Sequence, residues 1–177
     1  MPITLSSAPD QLEIPPCHIL IDKEGHWFYQ GMEMVRPSII ELLYQNMELE
    51  ADGRIIIHLG NQRCYLEVED APLVIKRVES VPGPEGKTEK LVLWLNDGRQ
   101  EDLDPAQVTF GAENVLYCRV RQGRFEARFS RPAYYQLAEH IVSDDSSGEN
   151  FYLLVKESRF LLKPRNIKTD LDHRPAS

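Results

Sequence analysis

Apolar and polar residues alternate in two short runs near the start of the chain, and a glycine lies between them. Period-two alternation is typical of a strand with one buried face, and Gly25 can supply the positive φ of a tight turn. The first pattern therefore predicts a β-hairpin between residues 18 and 30. The residues that alternate with more polar ones are Ile19, Ile21, Trp27 and Tyr29.

The spacing then changes to that of a helix over the segment RPSIIELLYQNMELEADG. Pro37 suits the first helical position, and Gly53 is expected to end the helix. Strands are predicted next, at residues 54–59, 64–69, 73–78 and 91–95. The apolar positions with helical spacing are Ile39, Ile40, Leu43, Tyr44 and Met47.

The same order of patterns follows a second time. A hairpin around Gly123 leads into RPAYYQLAEHIVSDDSSG, and two further strands are predicted at 151–155 and 159–162. Apolar residues with helical spacing predict a second helix. They are Tyr134, Leu137, Ala138, Ile141 and Val142.

Matching positions in the two halves suggest an internal duplication. Arg36-Pro37 and Arg131-Pro132 are 95 residues apart, and so are Gly53 and Gly148. The alternative is that both halves use common hairpin patterns. Duplication predicts an α+β fold: repeated β-hairpin–helix–β-hairpin units forming two antiparallel-sheet domains, each with one packed helix. The expected divisions are an irregular arm at 1–16, an N-terminal β-rich domain at 17–110, a C-terminal domain at 111–164 and a tail at 165–177.

Composition narrows the classes of function. The chain has 177 residues, a net charge of −8 and a pI near 5.2, so non-specific binding to nucleic acid is not expected. No apolar run is long enough for a membrane span, and we expect no membrane insertion and a cytoplasmic location. Three widely separated cysteines, Cys17, Cys64 and Cys118, predict free buried thiols.

Catalytic motifs are not found. The sequence Gly86-Lys87-Thr88 lacks the earlier glycine and the following helix of a P-loop. The histidines do not have metal-ligand spacing, and no activated serine or cysteine motif occurs. The sequence therefore favours a non-enzymatic protein without cofactor or metal. An enzyme whose site is assembled from distant residues stays open as an alternative.

The second hairpin carries the most concentrated positive charge. Its apolar residues must face the core, so Tyr117 and four arginines are expected on its outer face with one acid. Arginine forks bind phosphate and carboxylate groups. The alternative is a solvated face paired with acids of the N-terminal half. With the two Arg-Pro arginines, the candidate ligand-binding residues are Arg36, Tyr117, Arg119, Arg121, Arg124, Arg128 and Arg131.

Three blocks carry a resemblance to a known family. They are IDKEGHWFYQGMEMVRPSIIELL, YLEVEDAPLVI and RFEARFSRPAYYQLAE, and over residues 17–164 the chain resembles the bacterial domain-of-unknown-function family twelve eighty-five. The resemblance implies a duplicated core and a C-terminal half superficially similar to pleckstrin-homology folds. It also implies a nucleotide-like ligand at the domain interface and a part in signal transduction, with no established activity.

The predicted function is a non-enzymatic ligand-binding or sensory module, with a small anionic, nucleotide-like ligand between the domains. One alternative is a protein–protein adaptor that uses sheet edges and the arginine-rich face. The other is the enzyme described above.

Overall fold

A computed structural model describes residues 13–144, 146 and 148–166. Most of the predicted N-terminal arm and nearly all of the predicted tail lie outside these residues. The described part is mainly β-sheet with two α-helices, which confirms the α+β class. No helix in the described part is both long and apolar enough to cross a bilayer.

The helices are α1 (Pro37–Gln45) and α2 (Arg131–Ala138). The strands of the first half are β1 (Pro16–Ile21), β2 (Trp27–Tyr29), β3 (Met32–Glu33), β4 (Met47–Leu49), β5 (Ile55–Leu59) and β6 (Gln62–Val68). Those that follow are β7 (Leu73–Pro82), β8 (Thr88–Leu95), β9 (Gln100–Asp102), β10 (Val108–Phe110), β11 (Leu116–Val120), β12 (Phe125–Phe129), β13 (Ile141–Ser143), β14 (Phe151–Val155), β15 (Ser158–Leu161) and β16 (Lys163–Pro164).

The strands form three sheets. The first has the order β3-β2-β1-β6-β5-β4, in which only the β1–β6 pair is parallel. The second has seven strands in the order β16-β10-β11-β12-β7-β8-β9, and the third has the order β13-β14-β15. In the seven-stranded sheet β12 pairs in parallel with β7. This sheet therefore contains strands from both sides of the predicted division at residues 110 and 111.

The helices and strands follow one another in a similar order in the two halves. The hairpin β1–β2 precedes α1 and the antiparallel strands β4, β5 and β6, as β11–β12 precedes α2 and β13, β14 and β15. The long-range pairing differs, since β1 pairs with β6 whereas β11 pairs with β10. The duplication stays a prediction.

Both helices are shorter than predicted. Asn46 closes α1, because its backbone N–H donates to Leu42 and Leu43 and its side chain donates to the Leu42 carbonyl at 2.8 Å. Met47 then begins β4, which pairs with β5. Likewise α2 ends at Ala138, so that Ile141 starts a strand. The sequence Met-Glu-Leu at residues 47–49 alternates between apolar and polar residues as a strand does, and cross-strand hydrogen bonds favour a strand there over another helical turn.

The prediction of three free thiols is wrong for two of the cysteines. Cys17 and Cys64 are joined by a disulfide, with Cα atoms 4.9 Å apart, and only Cys118 is free among the described residues. The parallel pairing of β1 with β6 brings the first two together from 47 residues apart. Burial raises the pKa of the Cys118 thiol, which makes it a poor nucleophile. The cytoplasmic location stays a prediction without the support of free thiols.

The predicted helix faces are confirmed at their central leucines, since Leu43 and Leu137 are both buried. Replacing Leu43 by alanine is expected to lower the free energy of unfolding by about 2 kcal/mol, because the lost methyl groups leave a cavity at the core edge. Leu42→Ala is the matched control. Leu42 precedes Leu43 and is 47% exposed, so its truncation should cost less than about 0.5 kcal/mol. Equal losses in urea unfolding would contradict this helix orientation.

Candidate functional site

A cleft of about 720 Å³ lies between the two halves of the chain. The first half contributes Gln45 and Met47, at the end of α1 and the start of β4. The second half contributes β9, the segment after it, and the turn between β11 and β12. Of the predicted site residues, Arg119, Arg121 and Arg124 line this cleft.

Arg121 holds one wall of the cleft in place. It lies in the turn after β11, not in the strand as predicted, and its φ is 53°. Its Nε donates to Asp97 Oδ2 at 3.2 Å, its Nη2 pairs with the same carboxylate, and its Nη1 donates to the Tyr44 carbonyl at 3.1 Å. The side chain of Arg121 is 8% exposed and that of Asp97 is 1% exposed. This arginine is neutralised, and it connects the two halves.

Acidic residues near the cleft are also engaged. Glu101 accepts hydrogen bonds from the backbone N–H of Arg121 at 3.0 and 3.1 Å. Asp102 pairs with Lys90 at 2.9 Å, and the Asp104 side chain accepts from the Ala106 N–H at 3.0 Å. These contacts fix the backbone of the acidic side of the cleft.

Arg119 and Arg124 differ from Arg121. Both are exposed, and neither forms an ion pair with any residue of the described part. Arg119 is opposite Glu126 in the strand register, but Glu126 pairs with Arg165 instead. The cleft therefore has two guanidinium groups whose charge is not compensated within the described chain.

Two further predicted residues lie in a separate network around Asp70. Tyr117 donates to Asp70 at 2.9 Å, and Arg128 and Arg165 each pair with this carboxylate at 2.8 Å. The Arg165 guanidinium also lies 3.8 Å from the centre of the Tyr117 ring. Tyr117 was predicted on an outer face. It is buried because Arg165, near the end of the described residues, covers it.

The charges in this network stabilise one another. Burial acts to raise the pKa of Asp70, but hydrogen bonds from Tyr117, Arg128 and Arg165 outweigh it and hold the pKa below its ordinary value. Burial and the neighbouring carboxylate raise the pKa of Tyr117 to about 12. Burial acts to lower the pKa of Arg165, yet Glu126 and Asp70 raise it overall. The network is a structural connection between strands.

The two Arg-Pro arginines lie at the starts of the helices. Arg36 is the residue before α1, and Arg131 is the first residue of α2, where Ser130 caps the helix by accepting from the Ala133 N–H at 3.4 Å. Both arginines are exposed and neither lines the cleft.

Polar contacts fix how the two halves meet beside the cleft. Asn96 donates to the Tyr44 hydroxyl at 2.6 Å and accepts from the Val74 N–H at 2.9 Å. A Cβ at Gly25 would lie 2.6 Å from the Asn96 amide nitrogen, so only glycine permits this approach. Burial raises the pKa of Tyr44 to about 12, which keeps its hydroxyl protonated.

Sequence reasoning missed Asp70, Asp97, Asn96 and Arg165. Each is an ordinary turn or terminal residue in the sequence, and its partner lies tens of residues away, so the local pattern carries no signal for these contacts. The described residues contain no cluster of three or more metal-ligating side chains.

Comparison with known proteins gives two solved relatives. No family model and no curated protein matches the chain. A crystal structure of a DUF1285 family protein from Silicibacter pomeroyi DSS-3 is 25% identical, with a TM-score of 0.68 over 90% of this chain and 89% of that one. A DUF1285 family protein from Shewanella baltica OS155 shares the fold, at 21% identity and a TM-score of 0.57 over 70% of this chain and 91% of that one. The two structures confirm the predicted resemblance of this chain to the DUF1285 family.

Proposed function

We propose that this chain is a non-enzymatic module that binds a small anion in the cleft between its halves. The observation that carries the proposal is the pair Arg119 and Arg124, exposed and in no ion pair with described residues, on the wall of a cleft of about 720 Å³. Guanidinium groups hold phosphate or carboxylate oxygens through paired hydrogen bonds. A concave site of this size accommodates a small molecule.

The charge distribution supports the same location. The whole chain carries a net charge of −8, which disfavours anions over most of its surface. Screening limits this repulsion to about 8 Å at physiological salt, so a local pair of arginines can still attract an anion. The arginines of the Asp70 network do not compete, because Asp70 and Glu126 already neutralise them.

A sensory role is consistent with the position of the cleft. Its walls come from both halves, and Arg121 already bridges them through Asp97 and the Tyr44 carbonyl. A ligand that contacts both walls would favour one relative arrangement of the halves, as population-shift signalling requires. The family resemblance implies the same role.

We also infer that the two halves arose by duplication and that the C-terminal half is related to pleckstrin-homology folds. The repeated order of hairpin, helix and strands supports the duplication. Superposition of α1 and its strands on α2 and its strands tests it. Placement of Pro37 and Pro132 on different elements of the superposed halves would contradict it.

The binding test reverses the charges of Arg119 and Arg124. Calorimetric titration of inorganic phosphate and adenosine monophosphate into the wild type should give measurable heat, and Arg119→Glu with Arg124→Glu should abolish it. Each single Arg→Gln change should weaken binding roughly 10-fold, because one charge-assisted hydrogen bond is lost. Arg159→Glu is the matched control, since Arg159 is an exposed arginine on β15 that does not line the cleft.

Two results would count against the proposal. If the wild type gives no heat with either anion, anion binding is wrong. If the double variant binds as the wild type does, an anion site exists outside the cleft.

The adaptor function is a second candidate because apolar side chains are exposed near one sheet edge. Met32 lies on the edge strand β3, and Val35 follows it before α1. A partner strand could pair with this edge. Val35→Asp should then abolish capture of a partner in a pull-down, whereas Arg119→Glu with Arg124→Glu should not.

A further inference from the structure

Amide side chains are the commonest neutral groups of the cleft. Four glutamines line it, from α1, β9, the turn before β10 and the turn after β11. Each amide can donate two hydrogen bonds and accept others. Such a lining suits a ligand that carries many hydroxyl groups. The glutamines are Gln45, Gln100, Gln107 and Gln122.

The described residues give the cleft no open aromatic surface. Among the described residues that line it, Phe125 alone is aromatic, and it is 2% exposed. The guanidinium carbons of Arg121 and Arg124 lie 5.4 and 5.7 Å from the centre of its ring. Tyr117 lies under Arg165 in the other network. A nucleobase would therefore find no side-chain ring on which to stack, although stacking supplies much of the binding energy of bases.

An arginine side chain could stack on a base instead, but few arginines of the cleft are free of contacts with acidic residues. Arg121 is held by Asp97, and Arg99 lies 3.6 Å from the same carboxylate. If Arg119 or Arg124 stacked on a base, a single unpaired guanidinium would be left for the phosphate. A ligand without a flat ring leaves both for the anionic group.

The acids limit the ligand's charge. Glu101, Asp102 and Asp104 line the same cleft, and a second anionic group placed near them would be repelled. A carboxylate with spare lone pairs accepts a hydrogen bond from a hydroxyl readily. This side of the cleft suits hydroxyl donors.

We propose, on the basis of the anion-binding function above, that the cleft selects a polyhydroxyl compound with one anionic group, such as a sugar monophosphate or a sugar acid. The anionic group binds Arg119 and Arg124. The hydroxyl groups bind the glutamine amides and the acidic side of the cleft. A nucleotide is disfavoured because its base would lie against amides and carboxylates.

Calorimetric titration of four probes tests this selectivity. The probes are inorganic phosphate, glucose 6-phosphate, glucuronate and adenosine monophosphate. We expect one of the two sugar anions to bind at least 10-fold tighter than inorganic phosphate, and adenosine monophosphate to bind no tighter than inorganic phosphate. Comparison of the two sugar anions distinguishes a phosphate group from a carboxylate.

Variants separate the two parts of the site. Gln100→Leu and Gln107→Leu should each weaken binding of the sugar anion roughly 3- to 10-fold and leave phosphate binding unchanged, because each removes hydrogen bonds to hydroxyl groups. Arg119→Gln should weaken binding of both. Gln122 is not used, since its φ of 61° disfavours leucine. Gln62→Leu, an exposed position on β6 outside the cleft, is the control.

The outcomes separate this inference from the proposed function. If adenosine monophosphate binds tighter than both sugar anions, or if neither sugar anion binds tighter than phosphate, the selectivity is wrong and anion binding stands. If none of the four probes gives heat, the proposed function itself fails.

Discussion

Replacing Asp97 by alanine is expected to lower the free energy of unfolding by about 3–5 kcal/mol, because the change leaves the buried Arg121 charge without its partner. The side chain of Asp97 is 1% exposed, and it accepts hydrogen bonds from two nitrogens of Arg121. In wild type the attraction between the two groups offsets the cost of removing both charges from water. The variant keeps that cost for the guanidinium and loses the attraction.

Two matched variants show whether burial of the pair is the cause. Arg99 contacts the same carboxylate but is half exposed, so Arg99→Met should cost less than about 1 kcal/mol. The double variant Asp97→Ala with Arg121→Met should recover part of the loss, since it removes the uncompensated charge. Urea unfolding at pH 7 measures all three. A loss for Asp97→Ala no larger than that for Arg99→Met would contradict this account.

Strand alternation could be predicted from the sequence because it depends on neighbouring residues alone. In β11 and β12 the residues assigned to the core are buried as predicted. A one-residue slip would have exposed the whole set, so the apolar pattern determines which face is inside. The buried residues are Cys118, Val120, Phe125, Ala127 and Phe129.

Pairing between distant segments could not be predicted in this way. The parallel pairing of β1 with β6 brings Cys17 and Cys64 close enough to form the disulfide. The parallel pairing of β7 with β12 joins segments that the sequence analysis assigns to different domains. The prediction of the helix ends was wrong for a related reason. Met47 fits both helical and alternating spacing, and its pairing with Ile57 on β5 decides between the two.

The candidate site was predicted only in part. The arginines of the second hairpin were identified from their density in the sequence, and three of them line the cleft. Whether each is paired depends on acids far away in the chain. Asp97 neutralises Arg121 and Asp70 neutralises Arg128, whereas Arg119 and Arg124 have no such partner in the described ranges. A high density of arginines in the sequence therefore indicates which region of the chain contributes to the candidate site. The fold determines which of those charges are available for a ligand.

Asp70→Asn is expected to lower the free energy of unfolding by about 3 kcal/mol at pH 7, because it removes the negative charge shared by Arg128 and Arg165. The hydrogen bonds that these residues donate hold the pKa of Asp70 below the value of 3.8 that is ordinary for an aspartate. The unfolded chain therefore binds a proton at this position before the folded protein does. The contribution of Asp70 is complete above the unfolded pKa and is lost as the pH falls through the lower folded value.

The difference in stability between wild type and Asp70→Asn should thus be constant above about pH 5 and should narrow below about pH 4. Thermal unfolding of both proteins from pH 7 downward measures this difference directly, and other carboxylates cancel in the comparison. Asp102→Asn is the control, since its pair with Lys90 is exposed and should contribute little at any pH. A difference that stays unchanged down to pH 3 would mean that the carboxylate charge of Asp70 is not the cause of the loss. No difference at any pH would mean that the shape of the side chain, which asparagine preserves, holds the network.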